Sequence, residues 1–303
     1  MSSIIQFLHP GSEHNDKTGT KWNTGNHKRK FLKENGSYLK ELSNKPIEDI
    51  VYFWGEWEAP SAPTPIIGNK SPLPRSIFEP YYTLPVPENA ANTDPFVFGN
   101  QFHYSICKQG HYPSLRDLDK GDMILFGSNL KGCFVLDTVF VIKDWYEYEI
   151  NDLPTIKKQY SDTFYYTSLE PILNGNQVDA KVISIDDKNG YCLPCNGDDK
   201  TDNNPVENIK KYRIYNALMF EDKEDKGIFS YVPCLPNPPG KNGFERPSIS
   251  FNPISQNLNQ GIKIIKSENI NKAWHEITAE ILSKGLSLMI KTDLPQLTTN
   301  EEK

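Results

Sequence analysis

The ten residues Cys133-Phe-Val-Leu-Asp-Thr-Val-Phe-Val-Ile142 constrain the fold of this chain more than any other stretch. Period-two alternation puts Phe134, Leu136, Thr138, Phe140 and Ile142 on one side of a strand and Cys133, Val135, Asp137, Val139 and Val141 on the other. Both sides are largely apolar, so the strand should be covered on both faces. Upstream, across Asn129-Leu-Lys-Gly132, lies a second apolar run, Gly121-Asp-Met-Ile-Leu-Phe-Gly-Ser128. The two runs read as adjacent antiparallel strands. Asp137 in such company must be paired or hydrogen-bonded, to backbone amides or an arginine such as Arg116, or else carry a raised pKa.

A Gly-Asp turn, an apolar strand ending in a small residue, a short turn and a second apolar strand, together covering about Leu115 to Trp145, resemble the corresponding segment of the PUA-like β-barrels, the ASCH, EVE and YTH group. The resemblance implies a nucleic-acid or modified-nucleotide ligand and a setting in nucleic-acid modification or phage defence. The rest of the chain offers many short strands, two helices at most and long Pro-rich loops. The expectation is an α+β fold built mainly on an antiparallel curved or barrel-like sheet. Without an internal repeat or a clean linker, residues 1–303 read as one composite domain, with a PUA-like core at about 47–170 and a C-terminal elaboration over 171–303.

The net charge of −6 over 303 residues argues against coating duplex DNA, while leaving room for a local basic patch. No apolar run reaches the 18 or so residues a membrane helix needs, and the N-terminus has no charged n-region. The expected location is the cytoplasm, without membrane contact. Five scattered cysteines, an odd number, fit a reducing compartment. Cys192-Leu-Pro-Cys195 has a zinc-knuckle gap but lacks a second pair, so neither a metal nor a cofactor is expected. P-loop, dinucleotide, nucleophile-elbow and kinase signatures are all missing from the sequence.

Candidate site residues come from five stretches. His9-Pro-Gly-Ser-Glu-His14 places two imidazoles around a turn, suited either to chemistry or to a polar surface loop. Asn26 to Lys33 reads as a helix anchored by Phe31 and Leu32, with Lys28, Arg29 and Lys30 available to phosphates. Asn35-Gly-Ser37 reads as a turn. Ile50 to Glu58 reads as a strand with Tyr52, Trp54, Glu56 and Glu58 on one face and Val51, Phe53 and Trp57 on the other. A bulge at Gly55 would shift that phase. Nine prolines between Ala59 and Pro95 predict an extended loop, and Phe96 to Cys107 a strand presenting Asn100, Gln101 and His103. The Pro/Gly loop Tyr231 to Ser248 carries Lys241 and Arg246 to a phosphate or to the glutamate face. Ile270, Trp274, Ile277 and Ile281 recur at helical spacing, which predicts a helix over 268–284 capped by Ser267.

Two functions follow from these residues. In a nucleic-acid or nucleotide reader, Tyr52, Trp54 and Tyr104 would stack a base, Glu56, Asn100, Gln101 and His103 would read its edge, Lys28, Arg29, Lys30 and Arg246 would hold phosphates, and Trp57 is a further ligand-binding candidate. In a hydrolase of glycosidic or nucleotide bonds, Glu56 or Glu58 would supply the carboxylate and His9, His14 or His103 the acid/base partner. A third reading is a scaffold that binds a protein partner through its Pro-rich loops.

Overall fold

The computed structural model describes residues 2–42, 45–174, 211–223, 227–236, 243–258 and 260–298. Thirteen strands carry the fold: β1 (Ser2–Leu8), β2 (Arg29–Leu39), β3 (Ile47–Glu56), β4 (Ser61–Pro65), β5 (Ser76–Tyr82), β6 (His103–Tyr104), β7 (Met123–Leu130), β8 (Cys133–Tyr148), β9 (Tyr212–Ala217), β10 (Val232–Pro236), β11 (Ile262–Ser267), β12 (Ser287–Thr292) and β13 (Gln296–Leu297). One sheet runs β11-β1-β7-β8-β9-β6. The other runs β12-β10-β3-β2-β5-β13, with β4 beside β5. In the second sheet β12 also pairs with β2, so β2, β3, β10 and β12 close into a four-stranded antiparallel barrel. The chain is thus mostly strand, with few helices and a barrel-like, mainly antiparallel sheet.

Alternation explains how both sheets stay dry. Ile5, Phe7, Ile124, Phe126, Phe140 and Ile142 belong to one apolar core, together with Leu32, Val51 and Phe53 of the barrel. Ile4, Met123, Leu125, Val139 and Val141 face a second core, closed by helix Ile270–Ser283 through Ile270, Trp274, Ile277 and Ile281. The long run of β8 is covered on both sides, but its two sides do not keep one phase. Phe126 pairs with Thr138 and Gly127 with Leu136, which leaves Asp137 as the extra residue of a bulge. Phe134 and Leu136 therefore share a core with Val139 and Val141 rather than with Phe140. Gly127 permits this bend, because a Cβ there would lie 2.2 Å from the Val135 carbonyl oxygen.

Several local expectations are corrected. Asn26 to Lys33 is not a helix. Its second half is the start of β2, whose alternation matches the β3 partner strand, and Arg29 sits directly opposite Glu56. Asn35-Gly-Ser37 is not a turn but lies inside β2. Gly36 pairs with Thr292 where the barrel closes, and a Cβ there would meet the Lys291 carbonyl oxygen at 2.5 Å. Gly55 causes no bulge, since the β2–β3 register runs through it unbroken. The Pro-rich stretch contains the β4–β5 ladder, tolerated because β4 is an edge strand whose prolines withhold N–H groups from no second neighbour. Only His103–Tyr104 of the strand expected over Phe96 to Cys107 pairs as a strand, with a bridge from Phe96 to His103.

Phe164 to Tyr166 lies in a run of short helical turns. The C-terminal helix begins at Ile270 and is capped by the Asn269 side chain, which accepts from the Lys272 N–H at 2.9 Å; Ser267 instead ends β11. Past Thr292 the chain continues to Gln296–Leu297, which lies parallel beside Tyr81 and Tyr82. Ala180 to Ile185, Cys192, Cys195 and Lys241 lie outside the described residues. Among the described residues, no helix is long and apolar enough to cross a membrane.

Candidate functional site

Where the two sheets meet, strand ends deliver a cluster of charged side chains into the interior. β1 runs parallel to β7, and the His9 N–H just past its end donates to the Gly127 carbonyl at 2.7 Å, which fixes the imidazole. β2 starts at Arg29 and β3 ends at Glu56. Their guanidinium and carboxylate meet across the ladder at 2.5 Å. The β8 bulge turns Asp137 toward the same place, where it accepts from Arg29 Nε at 2.9 Å and twice from Arg246, at 2.7 and 2.6 Å. Arg246 also donates to Ser128 Oγ at 2.6 Å and to the Gly11 carbonyl at 3.2 Å. A chain of alternating charge thus runs Arg246, Asp137, Arg29, Glu56.

Beyond Glu56 the chain continues to His27 and Glu58. His27 Nδ1 lies between the two carboxylates, 2.9 Å from Glu56 Oε1 and 3.3 Å from Glu58 Oε1. Glu58 is also held by the Asn23 amide and by the Lys28 N–H at 3.2 Å. His9 Nδ1 approaches Glu56 Oε2 at 3.3 Å from the other side, while its Nε2 lies 3.2 Å from Cys107 Sγ. Asp94 ties the loop down: its N–H donates to Glu56 Oε1 at 3.1 Å, and its carboxylate accepts from the N–H groups of Ser105, Ile106 and Cys107 at 2.9, 2.8 and 2.7 Å. The side chains of Glu56, Glu58, Arg29, Arg246, Asp137 and His9 are at most 5 % exposed. His27 is 25 % exposed and forms the mouth of the cluster.

Burial and neighbouring charge push the titrating groups apart. Burial lowers His9 well below the ordinary imidazole range, and Arg29 and Lys108 lower it further, so its ring is neutral. Burial also pulls His27 down, but the Glu56 and Glu58 charges outweigh it and hold this imidazole well above its usual value. Glu58 is raised by burial yet ends lower than an ordinary carboxyl, because the adjacent His27 imidazolium and the Asn23 amide favour its anion. Burial raises Asp94 to about 6 against its three N–H donors, and lowers Lys30 to about 7 despite Glu58. His27, Glu56 and Glu58 offer donor atoms that all lie within 4.8 Å of one another, the group among the described residues with metal-ligand spacing.

No family model, curated protein or solved structure matches this chain. What the chain does is therefore carried by the geometry of its own side chains. Of the residues expected at a site, the structure brings together His9, Glu56, Glu58, Arg29 and Arg246. Arg29 and Arg246 are buried against Asp137 and Glu56, and Lys30 is buried with its ammonium on the Ala59 carbonyl at 2.9 Å, so none of the three faces outward to hold phosphate. Lys28 enters the cluster through its backbone.

The expected stacking platform is absent. Trp54 is buried with Nε1 on the Phe244 carbonyl, Trp57 is buried with Nε1 on the Pro60 carbonyl, and Tyr104 is buried with its hydroxyl on the Cys107 carbonyl. Tyr52 is half-buried over Phe31. His14 sits at the fringe, its Nδ1 on the Asn15 carbonyl and its ring edge on Phe78. His27, Asp94 and Cys107 were not expected. His27 was hidden in a basic run that reads as charge, while Asp94 and Cys107 are joined only by hydrogen bonds within a loop.

Asn100, Gln101 and His103 belong to a separate cleft of about 490 Å³, which they line with Trp145, Tyr146 and Tyr160. His103 is buried there against Tyr160 and Phe164, with Nδ1 2.9 Å from Asn216 Oδ1. Burial pulls its pKa down to about 4, outweighing the Asn216 bond. The unfolded chain therefore takes up this proton first. Stability contributed by the neutral ring is complete above about pH 6.5 and is lost as the pH falls to about 4, by about 3 kcal/mol in all. Asp94 acts oppositely, gaining stability as the pH falls through about 6. The expected result in urea titrations at several pH values is that His103→Gln flattens the acid-side fall relative to wild type. An unchanged slope would contradict the buried neutral ring.

Proposed function

We propose that the protein is a hydrolase that cleaves a glycosidic or phosphate-ester bond of a nucleotide-type substrate, with its reaction centre at His27, Glu56 and Glu58. The observation that carries this reading is the imidazole lodged between two buried glutamates at a partly open point of a charged cluster that is otherwise buried among the described residues. Burying so many charges costs several kcal/mol per ion, and apolar replacements of buried ion pairs often stabilise a fold. Groups with oppositely displaced titration, gathered in one place, point to chemistry instead. Glu56 and Glu58 orient and deprotonate the attacking water. The positive charge held between them meets the charge that develops on the leaving group. Neutral His9 supports Glu56 from behind, and the Arg29–Asp137–Arg246 chain fixes the carboxylate in place.

The test is product release from a panel of nucleotides, nucleosides and nucleotide sugars, comparing wild type with Glu58→Gln. Turnover that disappears in the variant supports the reading, and turnover that survives overturns it.

The cleft favours a second reading, a binding site for a base or nucleoside. Trp145 and Tyr146 are each 36 % exposed, and Arg213 caps Trp145 at 4.5 Å from the ring centroid. Asn100 and Gln101 supply amides beside these rings, the pairing a base needs for stacking and edge contacts. Titration with mononucleosides or short single strands should quench tryptophan fluorescence, and Trp145→Ala should weaken binding about tenfold or more, corresponding to 1–3 kcal/mol of stacking. Equal affinity in the variant would remove this reading.

A further inference from the structure

We propose that His27, Glu56 and Glu58 form a binding site for a divalent cation of the zinc or manganese class. The inference concerns the centre of the proposed hydrolase, but it stands on donor geometry and needs no turnover.

Ligands around a tetrahedral ion with bonds of about 2.0–2.2 Å are spaced about 3.4 Å apart. His27 Nδ1 stands 2.9 and 3.3 Å from the nearest oxygens of Glu56 and Glu58, and the three donors all fall within 4.8 Å of one another. A hydrogen bond is the obvious alternative, yet the buried Nδ1 of His27 makes none of acceptable direction with either oxygen. An ion bound among the three donors would account for this close approach without a hydrogen bond.

His9 gives an independent indication. Its side chain is only 2 % exposed and its Nδ1 faces Glu56 Oε2 at 3.3 Å, also without completing a hydrogen bond. A buried, unpartnered ring nitrogen aimed at the same carboxylate is what a neighbouring cation would satisfy, whether His9 joins the ion directly or lies just outside it.

The outer shell is already in place. Glu56 is held by Arg29 and the Asp94 N–H, and Glu58 by Asn23 and the Lys28 N–H. Such contacts orient ligating carboxylates. One imidazole with two carboxylates suits zinc or manganese better than calcium, which prefers six to eight oxygens. The partly exposed ring of His27 marks the entry path. With the ion bound, the positive charge between the glutamates belongs to the cation.

The test uses the full chain, dialysed against a chelator and titrated separately with zinc chloride and manganese chloride by calorimetry. The expected result is one ion per chain for at least one metal, with affinity about 100-fold weaker or more in His27→Ala. His275→Ala, at an exposed helix position, should bind as wild type does. Should His27→Ala fail to fold by circular dichroism, Glu58→Gln gives the same readout while keeping the side-chain shape. No saturable binding, or binding that survives the loss of His27 or Glu58, overturns the proposal. Saturable binding that depends on these residues, in a protein that hydrolyses nothing on the panel, upholds the metal site and removes the hydrolase reading alone.

Discussion

Asp137→Asn should destabilise the protein by about 3–5 kcal/mol, the loss expected when one member of a buried ionic network is removed. Asp137 accepts three hydrogen bonds from two guanidinium groups, Arg29 and Arg246, whose side chains are 1 % and 2 % exposed. An amide of the same shape leaves two buried cations facing each other, with Glu56 paired to Arg29 alone. Water cannot replace the lost charge at such burial. Thermal melting should show a fall on the order of 10 °C. Asp137→Asn with an unchanged melting temperature would mean that the network is wetter than its geometry indicates.

Glu58→Gln and Glu56→Gln should each lower turnover by about 10²–10⁴-fold, the contribution of a positioned acid or base. Their effects on stability should differ. Glu56 is the sole carboxylate bonded to Arg29 besides Asp137 among the described residues, and it also accepts the Asp94 N–H. Neutralising it leaves Arg29 underpaired, so Glu56→Gln should be destabilised as well as inactive. Among the described residues, the Glu58 carboxylate accepts from Asn23 and the Lys28 N–H and lies beside His27. A glutamine can keep the Lys28 bond, and the Asn23 amide can turn its oxygen toward the new NH₂ group at the expense of its bonds to the Gly25 N–H and the Asn26 carbonyl. His27, at the solvent edge, can then lose its proton. Melting curves and initial rates on the same preparations separate the two variants. Equal rates for wild type and either variant would exclude that glutamate from the chemistry.

Much of the architecture was legible because alternation is a local property. The β7–β8 pairing, the two-sided cover of β8, the parity of Tyr52 and Trp54 against Val51 and Phe53, and the helix carrying Trp274 all follow from spacing alone. Parity says which residues share a face. It does not say what covers that face, and here the face bearing Trp54 meets Phe31 and Phe244 in a second core. The same ambiguity hid Arg29 and Lys30, whose charges suggested solvent although the β2–β3 ladder draws them inside. Asp137 was recognisable as a buried carboxylate needing an arginine, but its partners are 108 and 109 residues away, and Arg116 instead bonds the Lys211 carbonyl. The bulge that aims it depends on Gly127 on the neighbouring strand. His9, Glu56 and Glu58 were visible as candidate residue types. Their meeting with His27 depends on where three strand ends fall in space, which no spacing rule supplies.

The most direct measurement is a paired one on Glu58→Gln: turnover of the responsive substrate and the melting temperature, both against wild type. A cluster assembled for chemistry predicts that turnover disappears while the melting temperature holds steady or rises. Turnover retained alongside a melting temperature lowered by about 10 °C would show that Glu58 holds the fold together and takes no part in a reaction.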